Sequence, residues 1–210
     1  YCCLETNFEA NGKNGTLWYK FPIEFKEYIV VEQSDSAIVA LMVLAMKNGE
    51  DIYIKGAIST KLYYTLTTYL IDALCFLNSE YSTIIINAES FSDKVFNNQN
   101  STSTGISCGI DSFSTIITHL NIEEKYRVKC LTHLNAGSHG LFGGEISNKI
   151  YNQRLSRIRE FSKSIDFPLI EISSNVADMV QEDFQKLHSI FHLSCILAIQ
   201  KKIGIYYYAS

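Results

Sequence analysis

The sequence is poor in several features that would classify it at once. It has 2 prolines and 1 tryptophan in 210 residues, and charged residues make up 19%. Lys+Arg number 18 and Asp+Glu 22, for a net charge of −4, which excludes a broad basic surface for nucleic acid but not a local patch. No apolar run reaches the ~18 residues of a membrane-spanning helix. The six cysteines, Cys2, Cys3, Cys75, Cys108, Cys130 and Cys195, form neither a C-x-x-C pair nor a regular framework. With no signal-peptide pattern before them, that scatter predicts a reducing, cytoplasmic setting. Asn14-Gly15-Thr16 and Asn100-Ser101-Thr102 match the glycosylation pattern, which is chance without secretion. A chain that opens on Tyr1 and stops at Ser210 reads as a fragment. No G-x-x-x-x-G-K-[ST] and no G-x-G-x-x-G is present. A zinc-protease helix is excluded because Ser189, not Glu, follows His188, although His188 and His192 share one helix face.

Hydrophobic residues make up 47%, an ordinary globular fraction, and the length suits one domain or a core plus a lobe. The chain is expected to divide into an α/β lobe over residues 1–100 and a second domain over 101–210. The polar stretch Asn97, Asn98, Gln99, Asn100, Ser101, Thr102, Ser103 is the candidate boundary. In the first part, Asn11-Gly12 and Asn14-Gly15 are hairpin-turn dipeptides, with strands expected at Leu17–Tyr19 and Tyr28–Val31. A helix from Ser36 to Lys47 ends at Asn48-Gly49, and Ser59 caps another that runs to about Asn78. Thr83–Ile86 reads as a buried strand.

Beyond Thr104, strands and helices alternate. Strands are expected ending at Ile106-Ser107, over 127–134, over 169–173 and over 205–208. Helices are expected over 112–120, 145–165 and 181–203, with Pro168 breaking the second and Gly204 capping the third. Such alternation predicts right-handed crossovers and a parallel sheet with helices on both faces, its ligand site beyond the carboxyl ends of the strands.

The segment Ser107-Cys108-Gly109-Ile110-Asp111-Ser112 joins a strand to a helix start. Free N–H groups and the positive helix end favour an anion there, and the hydroxyls of Ser107 and Ser112 would add donors. Asp111 suits Mg²⁺ or a cap rather than phosphate. The segment resembles the S-G-G-x-D-S loop of the PP-loop ATP pyrophosphatases, the adenine nucleotide alpha hydrolase-like superfamily that includes 7-cyano-7-deazaguanine synthases and asparagine synthetases. Five of its six positions fit, counting the free one, and Cys108 stands where the family has its first glycine. The resemblance covers Thr104 to Ser210. The 127–134 strand with Asn135-Ala136-Gly137-Ser138-His139-Gly140 is similar to the family's second strand and polar loop, and Arg154–Ser173 to its helix–Pro–strand unit. The helix from His192 into Tyr206-Tyr207-Tyr208 resembles the approach to the fourth strand, without the Arg-Asn pair that begins it in the deazaguanine synthases.

The resemblance implies a PP-loop/HUP-like half that binds ATP with Mg²⁺, adenylates a small acceptor and releases pyrophosphate, in amide, nitrile or thio-transfer ligase chemistry. It implies Asp111 as the catalytic metal carboxylate, with Ser107, Cys108, Gly109, Ile110, Ser112, Gly137, Ser138 and His139 around the nucleotide. A homo-oligomer is compatible with this reading, and neither a membrane nor a broad nucleic-acid surface is expected. Two alternatives stay open. Gly105-Ile106-Ser107-Cys108-Gly109 also reads as the G-x-S-x-G elbow of a serine hydrolase, with Asp166 or Asp178 and His188 or His192 as partners. The third is a non-catalytic nucleotide-binding or interaction module. Arg154, Arg157 and Arg159 read as a solvated helix face from which those turned toward the loop could bind phosphate.

Overall fold

The computed structural model describes residues 1–98, 101–140 and 142–209. Gln99, Asn100 and Ser210, which figure in the expected boundary, the second glycosylation pattern and the chain end, lie outside the described residues. The chain opens with a hairpin of β1 (Cys2–Ala10) and β2 (Lys13–Phe21). Asn11 and Gly12 take φ of 53° and 69°, the two left-handed positions that a type I′ turn needs. Asn14-Gly15 forms no turn: it lies inside β2, where the missing side chain of Gly15 makes room for the Phe8 ring opposite. The strand expected at Tyr28–Val31 is also absent. Pro22 starts a 3-10 turn over Ile23–Tyr28, and the extended residues after it are tied down where the Val30 N–H meets the Ala198 carbonyl at 3.0 Å.

Helix α1 (Asp35–Asn48) is buried on most of its circumference and ends at Gly49, whose φ is 67°. Its first residue, Asp35, accepts the Ser59 N–H at 2.8 Å. Strands β3 (Ile52–Ser59) and β4 (Ile86–Ser92) pair in parallel as a separate small sheet, so the apolar run 83–86 mostly precedes its strand. Between them the Ser59 hydroxyl caps α2 (Thr60–Thr65), which passes through a π turn at Leu66–Leu70 into α3 (Ile71–Leu77).

The remainder runs β5 (Thr102–Gly105), α4 (Ile110–Thr118), β6 (Cys130–Asn135), α5 (Glu145–Ser164), β7 (Leu169–Ser174), α6 (Val176–Val180), α7 (Phe184–Leu197) and β8 (Ile205–Tyr207). The helix expected over 181–203 is shorter: Gln181, with φ 52°, ends α6, Asp183 caps α7 by accepting the Gln185 N–H at 2.9 Å, and α7 stops at Leu197, so Gly204 does not cap it.

The main sheet has the order β1-β2-β7-β6-β5-β8. It is mixed: β7, β6, β5 and β8 pair in parallel, whereas the hairpin adds antiparallel through β2 on β7. A parallel ladder over the whole sheet is therefore not what forms. The hairpin fills the open side of β7, and the first hundred residues contribute two strands to the same sheet as the last hundred. The β2–β7 ladder is short, with Tyr19 opposite Ser174 and Lys20 opposite Ser173. Asn175 extends it by side chain, accepting the Trp18 N–H and donating to the Thr16 carbonyl, both at 2.9 Å.

Strand β6 is buried along its length, and its residues divide between two apolar clusters. Leu131 packs with Ile106, Ile116 and Ile158, while Cys130 and Leu134 pack with residues of α1, α7, β2 and β7.

Asn175 is buried, so Asn175→Ala strands one donor and one acceptor at the hairpin junction. Urea unfolding should show a loss of about 1–3 kcal/mol. Asn175→Asp, which sets a carboxylate oxygen against the Thr16 carbonyl, should lose more than Ala. Wild-type stability in both would mean that the side chain does not splice β2 to β7.

Candidate functional site

Because β7, β6, β5 and β8 run parallel, their carboxyl ends lie along one edge. Most of the residues expected to carry chemistry lie in the segments that leave that edge. After Gly105 the chain makes one more sheet bond, from Ile106 N–H to the Thr132 carbonyl at 2.9 Å, and then turns into α4. Two serines hold the turn. The Ser112 hydroxyl accepts the Ser107 N–H at 3.1 Å and meets the Ser107 hydroxyl at 2.8 Å, and the Ser107 oxygen accepts the Gly109 N–H at 3.2 Å. Ser112 is buried, so its hydroxyl faces inward and braces the turn instead of standing out as a free phosphate donor. It also engages one of the backbone N–H groups that a phosphate nest would use.

Cys108 takes φ 59°. A left-handed backbone suits glycine and costs an ordinary L-residue about 1–2 kcal/mol. Burial raises the Cys108 thiol pKa, partly offset by the nearby Arg157 guanidinium. The thiol is thus not activated, although it stands next to a helix start. Gly109 precedes the first turn of α4 and supplies no side-chain cap, which leaves the amides of Ile110, Asp111 and Ser112 without intrahelical acceptors. The side chains of Ile110 and Asp111 are exposed.

The segment after β6 is turned inward. Gly137 has φ 110°, and a Cβ there would come within 2.7 Å of Ala177 and 2.8 Å of Phe184. Ser138 donates to the Leu134 carbonyl at 3.3 Å and meets His139 Nδ1 at 2.9 Å. His139 is buried beside two groups that sequence reasoning did not single out, His133 of β6 and Tyr151 of α5. His133 stacks on Tyr151 at 5.4 Å with planes 5° apart, and its Nδ1 lies 3.2 Å from the Ile106 carbonyl. On α7, His188 bonds Tyr208 through Nδ1, and His192 lies between Phe184, His188 and Tyr208.

Burial drives the His133, His139 and His192 imidazoles down to a pKa of about 4. The Arg154 charge adds to the effect at His133 and His139, and the neighbouring imidazoles add to it at His192. All three are neutral at pH 7. His188 and His192 were readable as one face of a helix or as base candidates for the hydrolase alternative. The usable signal was the position of His133, two residues from the carboxyl end of a buried strand.

Arg157 stands beside the loop and Arg154 beside the histidines, whereas Arg159 forms a two-point ion pair with Glu171 at 2.6 and 2.7 Å. The hydrolase constellation is not assembled. Among the described residues Ser107 has no histidine partner, His188 is bonded to Tyr208, and Asp178 accepts the Phe142 N–H at 3.2 Å. The left-handed residue of the turn is also Cys108, not the serine of the elbow.

A cleft of about 870 Å³ lies elsewhere, between the hairpin, α1 and β3. Two of its carboxylates already accept backbone N–H groups, Glu50 from Asn11 and Asp51 from Ile85, and its lining pairs no nucleophile with a base. No group of three or more His, Cys, Asp or Glu among the described residues is placed to hold a metal ion by itself. No helix among them is long and apolar enough to cross a membrane. No family model, curated protein or solved structure matches the chain.

Two measurements check this geometry. Cys108→Gly should relieve the left-handed strain, offset by about 0.4–1 kcal/mol of extra freedom in the unfolded chain, for a net gain of up to ~1 kcal/mol. Cys108→Ala removes the thiol, keeps the strain and should bring no gain. Equal stability of the two variants would show that the turn is unstrained.

The second is the pH dependence of stability. The imidazoles titrate near 6.5 when unfolded and about 4 when folded. Between those values the unfolded chain binds protons that the folded chain does not. Stability should therefore be complete above pH 6.5 and fall as pH drops toward 4, by up to about 1.4 kcal/mol per pH unit for each imidazole. His192→Phe should flatten the slope. A pH-independent unfolding midpoint across that window would contradict the buried, neutral assignment.

Proposed function

We propose that the turn after β5 is a phosphate site and that the protein binds Mg–ATP to activate a small acceptor by adenylation with release of pyrophosphate. The observation that carries this reading is topological. Strand β5 has β6 and then β7 on one side and β8 on the other, so the connections diverge at its carboxyl end. In open α/β sheets ligands occupy the crevice at such a switch point, and the Ser107–Ser112 turn lies there. The division of β6 between two clusters supports the finer expectation of helices on both faces of the parallel strands. Six free thiols agree with a reducing, cytoplasmic setting.

The residues present suit the nucleotide. Uncapped amides of Ile110, Asp111 and Ser112 at the start of α4 favour an anion. Arg157 adds a guanidinium that can pair with phosphate. Mg²⁺ is commonly held by one or two carboxylates together with substrate phosphates. An exposed Asp111 in the first turn suits that shared mode, and the lack of a three-residue metal cluster among the described residues does not oppose it. Bound Mg–ATP supplies the leaving pyrophosphate and the metal that offsets its charge. The chain's part is to hold the phosphates on the turn, to keep the turn rigid through Ser107 and Ser112, and to present Asp111 to the metal. The second reading, a nucleotide-binding module without turnover, is favoured by Asp111 being the only carboxylate on the turn.

Asp111→Asn separates the two. Charge on the departing pyrophosphate grows toward the transition state, so the metal matters more there than in the ground state. Pyrophosphate release should fall by a larger factor than Mg–ATP affinity measured by calorimetry. Nucleotide binding with no pyrophosphate release in the wild type leaves the module. No Mg–ATP binding in the wild type removes the nucleotide reading.

A further inference from the structure

The cleft of about 870 Å³ between the hairpin, α1 and β3 separates two open strand edges. Among the described residues, β1 ends the main sheet and pairs only with β2, and β3 pairs only with β4. Residues 6–10 of the hairpin line one wall, residues 51–55 line the other, and α1 supplies the floor. The walls are tied at their ends. At one end both Glu50 carboxylate oxygens accept the Asn11 N–H, at 2.9 and 3.0 Å, which brings the hairpin tip to the start of β3. At the other end the Ser34 N–H donates to the Ala57 carbonyl at 2.8 Å.

Register decides which backbone groups stand in the gap. Ala10 and Lys13 flank a two-residue turn, so they exchange backbone bonds, as do Phe8 and Gly15 further along. The N–H and C=O groups of Asn7 and Glu9, at the alternate positions, point away from β2. On β3, the Ile52 N–H donates to the Ile85 carbonyl at 2.9 Å. That turns Ile52 and Ile54 toward β4 and Tyr53 and Lys55 away from it. No segment among the described residues bonds the outward backbone groups of Asn7, Glu9, Tyr53 or Lys55. Open edges of this kind invite another strand.

Two rows of unused donors and acceptors across one groove define the occupant. A strand that belongs to a folded sheet brings one free edge and could use one wall. Only a segment extended outside any sheet can bond both. Its side chains alternate between two faces. One set would meet the floor at Phe8, Ile38, Leu41 and Ile54, which belong to or pack against the main apolar cluster. The other would lie at the surface beside the exposed Asn7, Glu9, Tyr53 and Lys55. The rim is acidic near the hairpin tip. Glu9, Glu50 and Asp51 line the cleft against one cation, Lys55, and none of the three carboxylates pairs with a lysine or arginine among the described residues.

We propose that this gap binds an extended segment of a partner polypeptide as a strand that joins β1 to β3. The segment is apolar at alternate residues and basic at the end beside Glu9 and Glu50. Main-chain bonds supply affinity, and the apolar floor and acidic rim supply selectivity. The proposal is independent of the nucleotide reading.

The test uses the full chain, ¹⁵N-labelled, and the capped heptapeptide Lys-Val-Thr-Val-Thr-Val-Lys. Its valines share one face, and its two lysines serve either orientation. Binding should slow hydrogen exchange at both edges, at the amides of Asn7 and Glu9 and at those of Tyr53 and Lys55. Methylating the backbone nitrogen of the central valine removes a donor toward one edge, and methylating that of a threonine removes one toward the other. Each should weaken binding roughly tenfold. Glu9→Lys changes an exposed side chain and should weaken binding several-fold, as should glutamates in place of the peptide's lysines. Protection of one edge only, or sensitivity to only one of the methylations, would mean single-edge docking and would overturn the insertion. Protection without peptide that grows with protein concentration would make a second copy the occupant and would overturn it too, as would no protection at all. Binding undiminished by both charge changes would overturn the basic occupant.

Discussion

The structure depends on a short strand made of hydroxyl residues. Strand β5 is Thr102-Ser103-Thr104-Gly105, with all three hydroxyl residues fully buried between β6 and β8. A buried hydroxyl without a partner is costly. Each finds an acceptor: Ser103 the Cys130 carbonyl of β6 at 3.1 Å, Thr104 the Tyr207 carbonyl of β8 at 2.9 Å, and Thr102 the Lys125 carbonyl, in the 3-10 turn before β6, at 2.8 Å. Thr132 of β6 completes the set by reaching the Thr104 carbonyl at 3.3 Å and the Tyr206 hydroxyl at 3.1 Å. Gly105 closes the strand because a Cβ there would stand 3.0 Å from that same tyrosine oxygen. These side-chain bonds lock β5 against its neighbours on both sides. They fix where the turn toward α4 begins, and with it the whole carboxyl edge.

Strand β6 carries the next consequence. Its position between β5 and β7 buries every residue, yet Thr132, His133 and Asn135 are polar. Thr132 is absorbed by the hydroxyl network. His133 is only half absorbed, since one nitrogen bonds the Ile106 carbonyl and the other has no partner. A neutral imidazole held this way costs folding free energy that an apolar residue would not. The burial that lowers its pKa also leaves its lone pair available at neutral pH.

How much of this could be read from the sequence depends on how local each feature is. Asn11-Gly12, the Gly49 terminator, the Ser59 cap and the breaker before β7 act within a few residues, and each formed as its chemistry requires. The Ser107–Ser112 turn was visible for the same reason. Strand β5 was hard to place because its burial is enabled by acceptors on other strands, which no hydrophobic pattern records. The hairpin's attachment to β7 rests on Asn175, more than 150 residues away in sequence. The grouping of His133, His139 and Tyr151 was out of reach because β6, the loop after it and α5 each supply one part. His188 and His192 by themselves carry only helical spacing.

The turn at Cys108 joins these threads. Cys108 adopts there the left-handed backbone that glycine favours. Two serines, not a second glycine, maintain it, since Ser112 holds the Ser107 N–H and Ser107 holds the Gly109 N–H. The charges around the turn fit an anion. In a chain of net charge −4, Arg157 lies near Cys108 and Arg154 near His133 and His139, while the three buried imidazoles stay uncharged at neutral pH. An anion at the turn would thus meet helix amides and the Arg157 guanidinium, with Asp111 the only opposing charge on the turn itself. A divalent cation shared between that carboxylate and phosphate oxygens would remove that opposition.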